Sequence, residues 1–142
     1  MTKKMMQWFL DELAKPSLAF NQVEAYEGQF DDLDNDTTVF PPAAFVVVER
    51  PENTGEMSLS MNYQIGIYLV TSHIHGTGPD TMLDIIDALI AALHAKPVRY
   101  ELDLSVSTPP DAYFGRCFFK TAEWFGIFPG KCAYKMTFIV RR

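Results

Sequence analysis

Four aspartates fall within six residues, at Asp31, Asp32, Asp34 and Asp36. Carboxylates at that density are the first place to look for chemistry. An EF-hand loop binds calcium through ligands at positions 1, 3 and 5, a glycine at 6 and a bidentate glutamate at 12. Counted from Asp32, positions 1, 3 and 5 are Asp32, Asp34 and Asp36, but position 6 is Thr37 and position 12 is Ala43. The run therefore lacks both the turn and the strongest ligand. Solvent-facing acids also keep near-normal proton affinity, which makes them poor general acids.

Other chemical groups are sparser. His73 and His75 flank Ile74, so an extended segment would put both imidazoles on one side. A structural zinc site needs four ligands and a catalytic one about three, and His94 is the only further histidine. Gly76-Thr77-Gly78 ahead of a helix resembles a small anion cradle, yet no Lys or Arg is close and Asp80 already sits at that terminus. No GxSxG elbow is present, and neither cysteine has a context that suggests activation. Cys117 and Cys132 fall on the two strands of an expected hairpin. With its turn near Ile127 they lie roughly six residues, or ~20 Å, apart along the ladder, as free core thiols of a reducing compartment. The expectation is a protein with no catalytic residue, no metal ligand set and no cofactor.

At 142 residues one hydrophobic core suffices, and an apolar fraction of 48% is that of a globular chain. The most apolar window, Met82 to Leu93, is interrupted by Asp84 and Asp87 and is too short to span a bilayer. The N-terminus MTKKMMQWFLDELAKP opens with two lysines, but Asp11 and Glu12 break the apolar stretch, so it reads as a cytoplasmic start rather than a signal peptide. A net charge of −6 argues against generic binding to DNA or to anionic membranes, both of which rest on Lys and Arg. The charge is unevenly placed: residues 1–95 carry 4 bases and 14 acids, residues 96–142 carry 8 bases and 4 acids. If the two parts make different faces, copies could dock head to tail; the alternative is that antiparallel strands mix them on every surface.

The positioning elements follow from periodicity. Met6, Phe9, Leu10 and Leu13 form the stripe of an amphipathic helix over Lys4 to Lys15, which Pro16 ends. Gln22 to Tyr26 is a short extended piece. Ala43 to Glu49 reads as a central strand, apolar on both faces, and Arg50 to Met57 as a turn. Leu59, Met61, Tyr63, Ile65, Ile67 and Leu69 alternate with Ser58, Ser60, Asn62, Gln64, Gly66 and Tyr68, a strand whose start could project as an arm. A helix from Asp80 to His94 presents Met82, Ile85, Ile86, Leu89 and Leu93 to the core, with Pro79 at its first position. Val98 to Val106 is a half-buried strand. Gly115 to Phe125 and Lys131 to Arg141 form a hairpin around GIFPG. The order α-β-β-β-α-β-β-β, without repeat or linker, predicts a single α+β domain with a mostly antiparallel sheet.

One segment looks like a contact surface. Trp124, Phe125, Ile127 and Phe128 sit at the expected hairpin tip, where loops are normally polar. They either form an exposed interaction patch or fold back on the sheet.

The arrangement of an N-terminal amphipathic helix, AYEGQFDD (Ala25 to Asp32), PPAAFVVVE (Pro41 to Glu49), a long alternating strand and a second helix resembles the small tail proteins of Mu-like phages and prophages. That family is itself similar to the tail terminators of long-tailed phages, phage lambda included. The match is sharpest at Tyr26, Gly28, Phe30, Asp31 and the Pro42 to Val48 strand. The resemblance implies a non-enzymatic subunit that assembles as a homo-oligomeric, hexameric ring on the head-proximal end of the tail tube, in the host cytoplasm and then in the virion tail. Its partners would be further copies of itself, the tail tube protein and a head-completion or neck protein, with DNA passing through the lumen unbound. Interface residues expected on this basis and from the contact surface are Tyr26, Phe30, Asp31, Asp32, Asp34, Asp36, Arg50, Glu52, Trp124, Phe125 and Phe128.

Overall fold

The computed structural model describes residues 2–30, 39–53, 61–72, 78–99, 113–128 and 131–141. Two helices, α1 (Thr2–Leu13) and α2 (Gly78–Leu93), accompany six strands: β1 (Gln22–Ala25), β2 (Ala43–Asn53), β3 (Met61–Ser72), β4 (Pro97–Arg99), β5 (Tyr113–Phe128) and β6 (Lys131–Arg141). They form one sheet in the order β1-β2-β3-β6-β5-β4. Only β1 and β2 run parallel; every other neighbour pair is antiparallel. The fold is α+β, with the element order that the periodicity predicts.

Alternation sorts the strands onto two faces. Tyr63, Ile65, Ile67 and Leu69 of β3 and Cys132, Met136, Phe138 and Val140 of β6 are buried with Met5, Phe9 and Leu13 of α1 and Met82, Ile86, Leu89 and Leu93 of α2. The α1 seam is therefore Met5-Phe9-Leu13, spaced by four, while Met6 and Leu10 flank it. That is a small rotation from the expected stripe, and it places three side chains directly over one another on the sheet side. Glu12 is tied to Lys96 at 2.6 Å and to Lys15 at 2.8 Å, which pins the end of α1 to the start of β4. Beyond α2, Ala95 adopts a left-handed φ of 63°, and its N–H donates to the Cys117 carbonyl at 2.6 Å.

Several boundaries differ from the expectation. Arg50 to Asn53 is still strand, paired with Gln64 to Met61, because β3 continues opposite it and keeps the ladder filled; the remainder of the expected turn and arm, residues 54–60, lies outside the described residues. The last hairpin turns later than Ile127: Phe128 is opposite Lys131, so Trp124 to Phe128 are ladder residues rather than a loop. Two register shifts, between Phe119 and Thr121 and between Trp124 and Gly126, each insert one extra residue into β5. Cys117 is consequently opposite Val140 and Cys132 opposite Ile127. Both cysteines are free and buried, and burial pushes the Cys117 thiol up to about 12. Finally, α2 begins at Gly78, two residues before Asp80. Of the strand expected over Val98 to Val106, Pro97 to Arg99 is observed, and the rest lies outside the described residues.

Candidate interaction surface

The face of the sheet opposite the helices is crossed by the chain that leaves β1. Tyr26 donates its backbone N–H to the Val46 carbonyl at 2.8 Å, and Gly28 then turns the chain with a φ of 88°, a conformation that costs a side-chain-bearing residue about 1–2 kcal/mol. Gln29 clasps this turn. Its Oε1 accepts from the Glu27 N–H at 2.6 Å, and its Nε2 donates to the Ala25 carbonyl at 3.1 Å. The turn delivers Phe30 into a second buried cluster with Val39, Ala43, Phe45, Val70 and Ala133.

Four aromatic rings meet there. Tyr26 stacks on Tyr68 at 4.0 Å, and Phe30 stands edge-on to Tyr68 at 4.9 Å and to Phe125 at 5.1 Å. Contacts of this geometry add about 0.5–1.5 kcal/mol each beyond area burial. The strap from β1 thus reaches across β3 to β5. Both flanks of the acidic segment, Phe30 and Val39, are buried on this face. The returning chain is fastened to β1: Phe40 N–H donates to Gln22 Oε1 at 2.8 Å, and Asn21 donates through Nδ2 to the Pro41 carbonyl at 2.9 Å.

Beside the rings lies a polar network. Lys135 Nζ is 2.5 Å from Glu49 Oε1 and 5.4 Å from the centre of the Tyr68 ring, while Gln64 Nε2 donates to Glu49 Oε2 at 2.9 Å. Burial alone would depress the Lys135 pKa, but the hydrogen bond and charge of Glu49, helped by Tyr68 and Glu123, raise it above the usual lysine range. Glu49 reaches Lys135 because Gly66 lies beneath it: a Cβ at position 66 would be 2.6 Å from Glu49 Oε1.

The expected interface residues are brought together only in part. Tyr26, Phe30 and Phe125 share the aromatic cluster. Trp124 points to the other face, 5.1 Å from Tyr134, and Phe128 closes β5 opposite Lys131. Arg50 and Glu52 lie toward the far end of the β2–β3 ladder, opposite Gln64 and Asn62. Asp31, Asp32, Asp34 and Asp36, with His73 and His75, lie outside the described residues. Among the described residues no group of three His, Cys, Asp or Glu could hold a metal ion, and no helix is long and apolar enough to cross a membrane. Tyr68, Glu49, Gln64 and Lys135 are site residues that the sequence reading missed. An aromatic ring at the end of the otherwise polar series of β3 was the available signal for Tyr68; the other three needed the strand order.

Large apolar side chains remain exposed: Phe40 at 61%, Leu83 at 50%, Trp124 at 49% and Phe125 at 48%. Phe40, Trp124 and Phe125 lie toward the end of the sheet where Ala43, Val70, Ala133 and Gly126 form successive pairs. An aromatic, partly exposed corner with few titratable groups suits contact better than reaction. No protein-family model matches the chain, and no curated protein matches it.

Proposed function

We propose that this chain is a structural, non-enzymatic subunit of phage or prophage tail assembly, a tail terminator or completion protein. Identical copies close into a ring, hexameric by the resemblance, that caps the tail tube, stops its polymerisation and offers a surface for head joining. The mechanism is blocking: one face complements the last tube ring, and the other cannot accept the next. DNA passes through the lumen, where like charge prevents sticking.

The observation that carries this reading is the strap. The segment YEGQF, where the resemblance is among its sharpest, is built as a Gly28 turn with a Gln29 clasp and an aromatic anchor. That is heavy local construction for a segment that holds no described chemistry, and it suits the presentation of the adjoining aspartates at a boundary. A different head-to-tail connector would use the same surface. The reading from another class, a small ligand-binding protein or enzyme with a pocket between residues 80–94 and the sheet, draws no support from the packing. Met82, Leu89 and Leu93 are fully buried against the sheet core.

Sizing of the pure protein at low and high salt, followed by addition to growing tail tubes, tests the proposal. The expected result is a closed oligomer that loosens as salt screens its contacts and that arrests tube growth. A monomer that leaves tube length unchanged contradicts it.

A further inference from the structure

Two arginines face each other across the end of the β5–β6 ladder, where Arg116 is directly opposite Arg141. Their neighbours Cys117 and Val140 are buried in the core under the helices. Alternation therefore puts both arginines, with Phe118 and Ile139, on the side of the sheet away from the helices. Like charges directly opposite destabilise a ladder, and among the described residues no carboxylate pairs with either arginine. Glu123, the only acid of β5, stands opposite Lys135, seven residues along the strand from Arg116. Arg116 Nη1 instead donates to the Ala95 carbonyl at 2.9 Å, and the Arg141 guanidinium lies 4.9 Å from the centre of the Phe118 ring. Both side chains are exposed, and a guanidinium so placed still has N–H donors for a carboxylate.

The outward face of α2 carries the converse. The helix contains no Lys or Arg. Asp84 and Asp87 are exposed on it, and among the described residues neither has an ion-pair partner. Leu83, 50% exposed, shares about 100° of the helix circumference with them. Side chains at i and i+3 of a helix stand about 5–6 Å apart, and directly opposite side chains of a ladder about 4.5–5.5 Å. The aspartate pair and the arginine pair thus match in spacing as well as in sign.

We infer that these two surfaces meet between copies: α2 of one subunit docks on the Arg116–Arg141 corner of the next, its aspartates on the arginines and Leu83 against the half-buried Phe118 and Ile139. The inference rests on the ring reading in taking a second copy as the occupant. One surface lies on the helix layer and the other on the far side of the sheet, so a two-fold pair of subunits cannot make both contacts at once. Front-to-back docking makes both, and it closes by rotation.

The test uses exposed positions. Arg141→Glu and Asp87→Lys are each expected to weaken self-association by about tenfold or more, and Leu83→Ala by about threefold to tenfold. Combined in one chain, Arg141→Glu and Asp87→Lys exchange the charges and should restore association toward that of wild type. Denaturant unfolding at monomeric concentration should match wild type for Asp87→Lys and Leu83→Ala, which separates a lost contact from a lost fold. An oligomer untouched by Asp87→Lys, or not restored by the exchange, overturns this contact while leaving the ring reading in place. So does an Arg141→Glu oligomer that forms as in wild type but no longer seats on tail tubes, which would hand the arginines to the tube protein. Wild-type protein that stays monomeric at millimolar concentration overturns both.

Discussion

The ring of Tyr26 lies flat on that of Tyr68, with centroids 4.0 Å apart and planes 9° from parallel. One comes from the strap, the other from the middle of the sheet, so this stack fastens the start of the acidic segment to the fold. Removal of the Tyr68 ring takes away the stack, the edge contact to Phe30 and the surface under Lys135. Tyr68→Ala is expected to cost about 2–3 kcal/mol in denaturant unfolding, and Tyr68→Phe less than about 1 kcal/mol. Equal effects of the two would mean that the hydroxyl, not the ring, is what matters.

Gly66 and Glu49 are coupled by space. A glycine-to-alanine change in a strand ordinarily stabilises by about 0.4–1 kcal/mol. Here the new Cβ would displace Glu49 from Lys135, so Gly66→Ala is expected to destabilise. Combined with Glu49→Gln it should cost little beyond the single change, because both remove the same ion pair. A double-mutant cycle of unfolding free energies checks this; full additivity would show that the displacement does not occur.

Much of this architecture is legible in the sequence, for physical reasons that differ by element. β3 announces itself because Tyr63, Ile65, Ile67 and Leu69 fill the helix-side core while Gln64, Gly66 and Tyr68 line the other face, which imposes a period of two from Tyr63 to Leu69. α2 is equally clear, since Met82, Ile86, Leu89 and Leu93 share one helical face. The late turn of the last hairpin was not visible: the extra residues at Lys120 and Phe125 shift register without altering composition. Trp124 to Phe128 resembled an apolar tip because a strand edge and a loop tip can carry the same residues. The Glu49–Lys135 pair joins residues far apart in sequence, and only the adjacency of β2, β3 and β6 reveals it.

Glu12 gives a pH-dependent tether. Its partial burial would raise the carboxyl, but hydrogen bonds from Lys15 and Lys96 and their charges outweigh this and hold it below the ordinary carboxylate range. A lowered folded-state value means that the contribution is complete above the unfolded carboxylate pKa and is lost as pH falls through the folded one. Wild type should therefore exceed Glu12→Gln in stability at neutral pH, and the difference should vanish in strong acid. Unfolding curves across the acid range read it directly.

Cys117 should be inert in the native state. Its thiol, pushed up to about 12 by burial, presents almost no thiolate at neutral pH. Reaction with a disulfide reagent is expected only as fast as the fold opens, and with full stoichiometry in denaturant. Rapid labelling of the native protein would show that the α2–β5 core is looser than the packing indicates.

The proposed function requires identical subunits that close on one another and cap a tube. Electron microscopy of the purified protein, alone and with tail tubes, tests this most directly. It should show annuli of uniform diameter, and the same annuli seated at a single tube end. Solitary particles at every concentration, with bare tube ends, would contradict it.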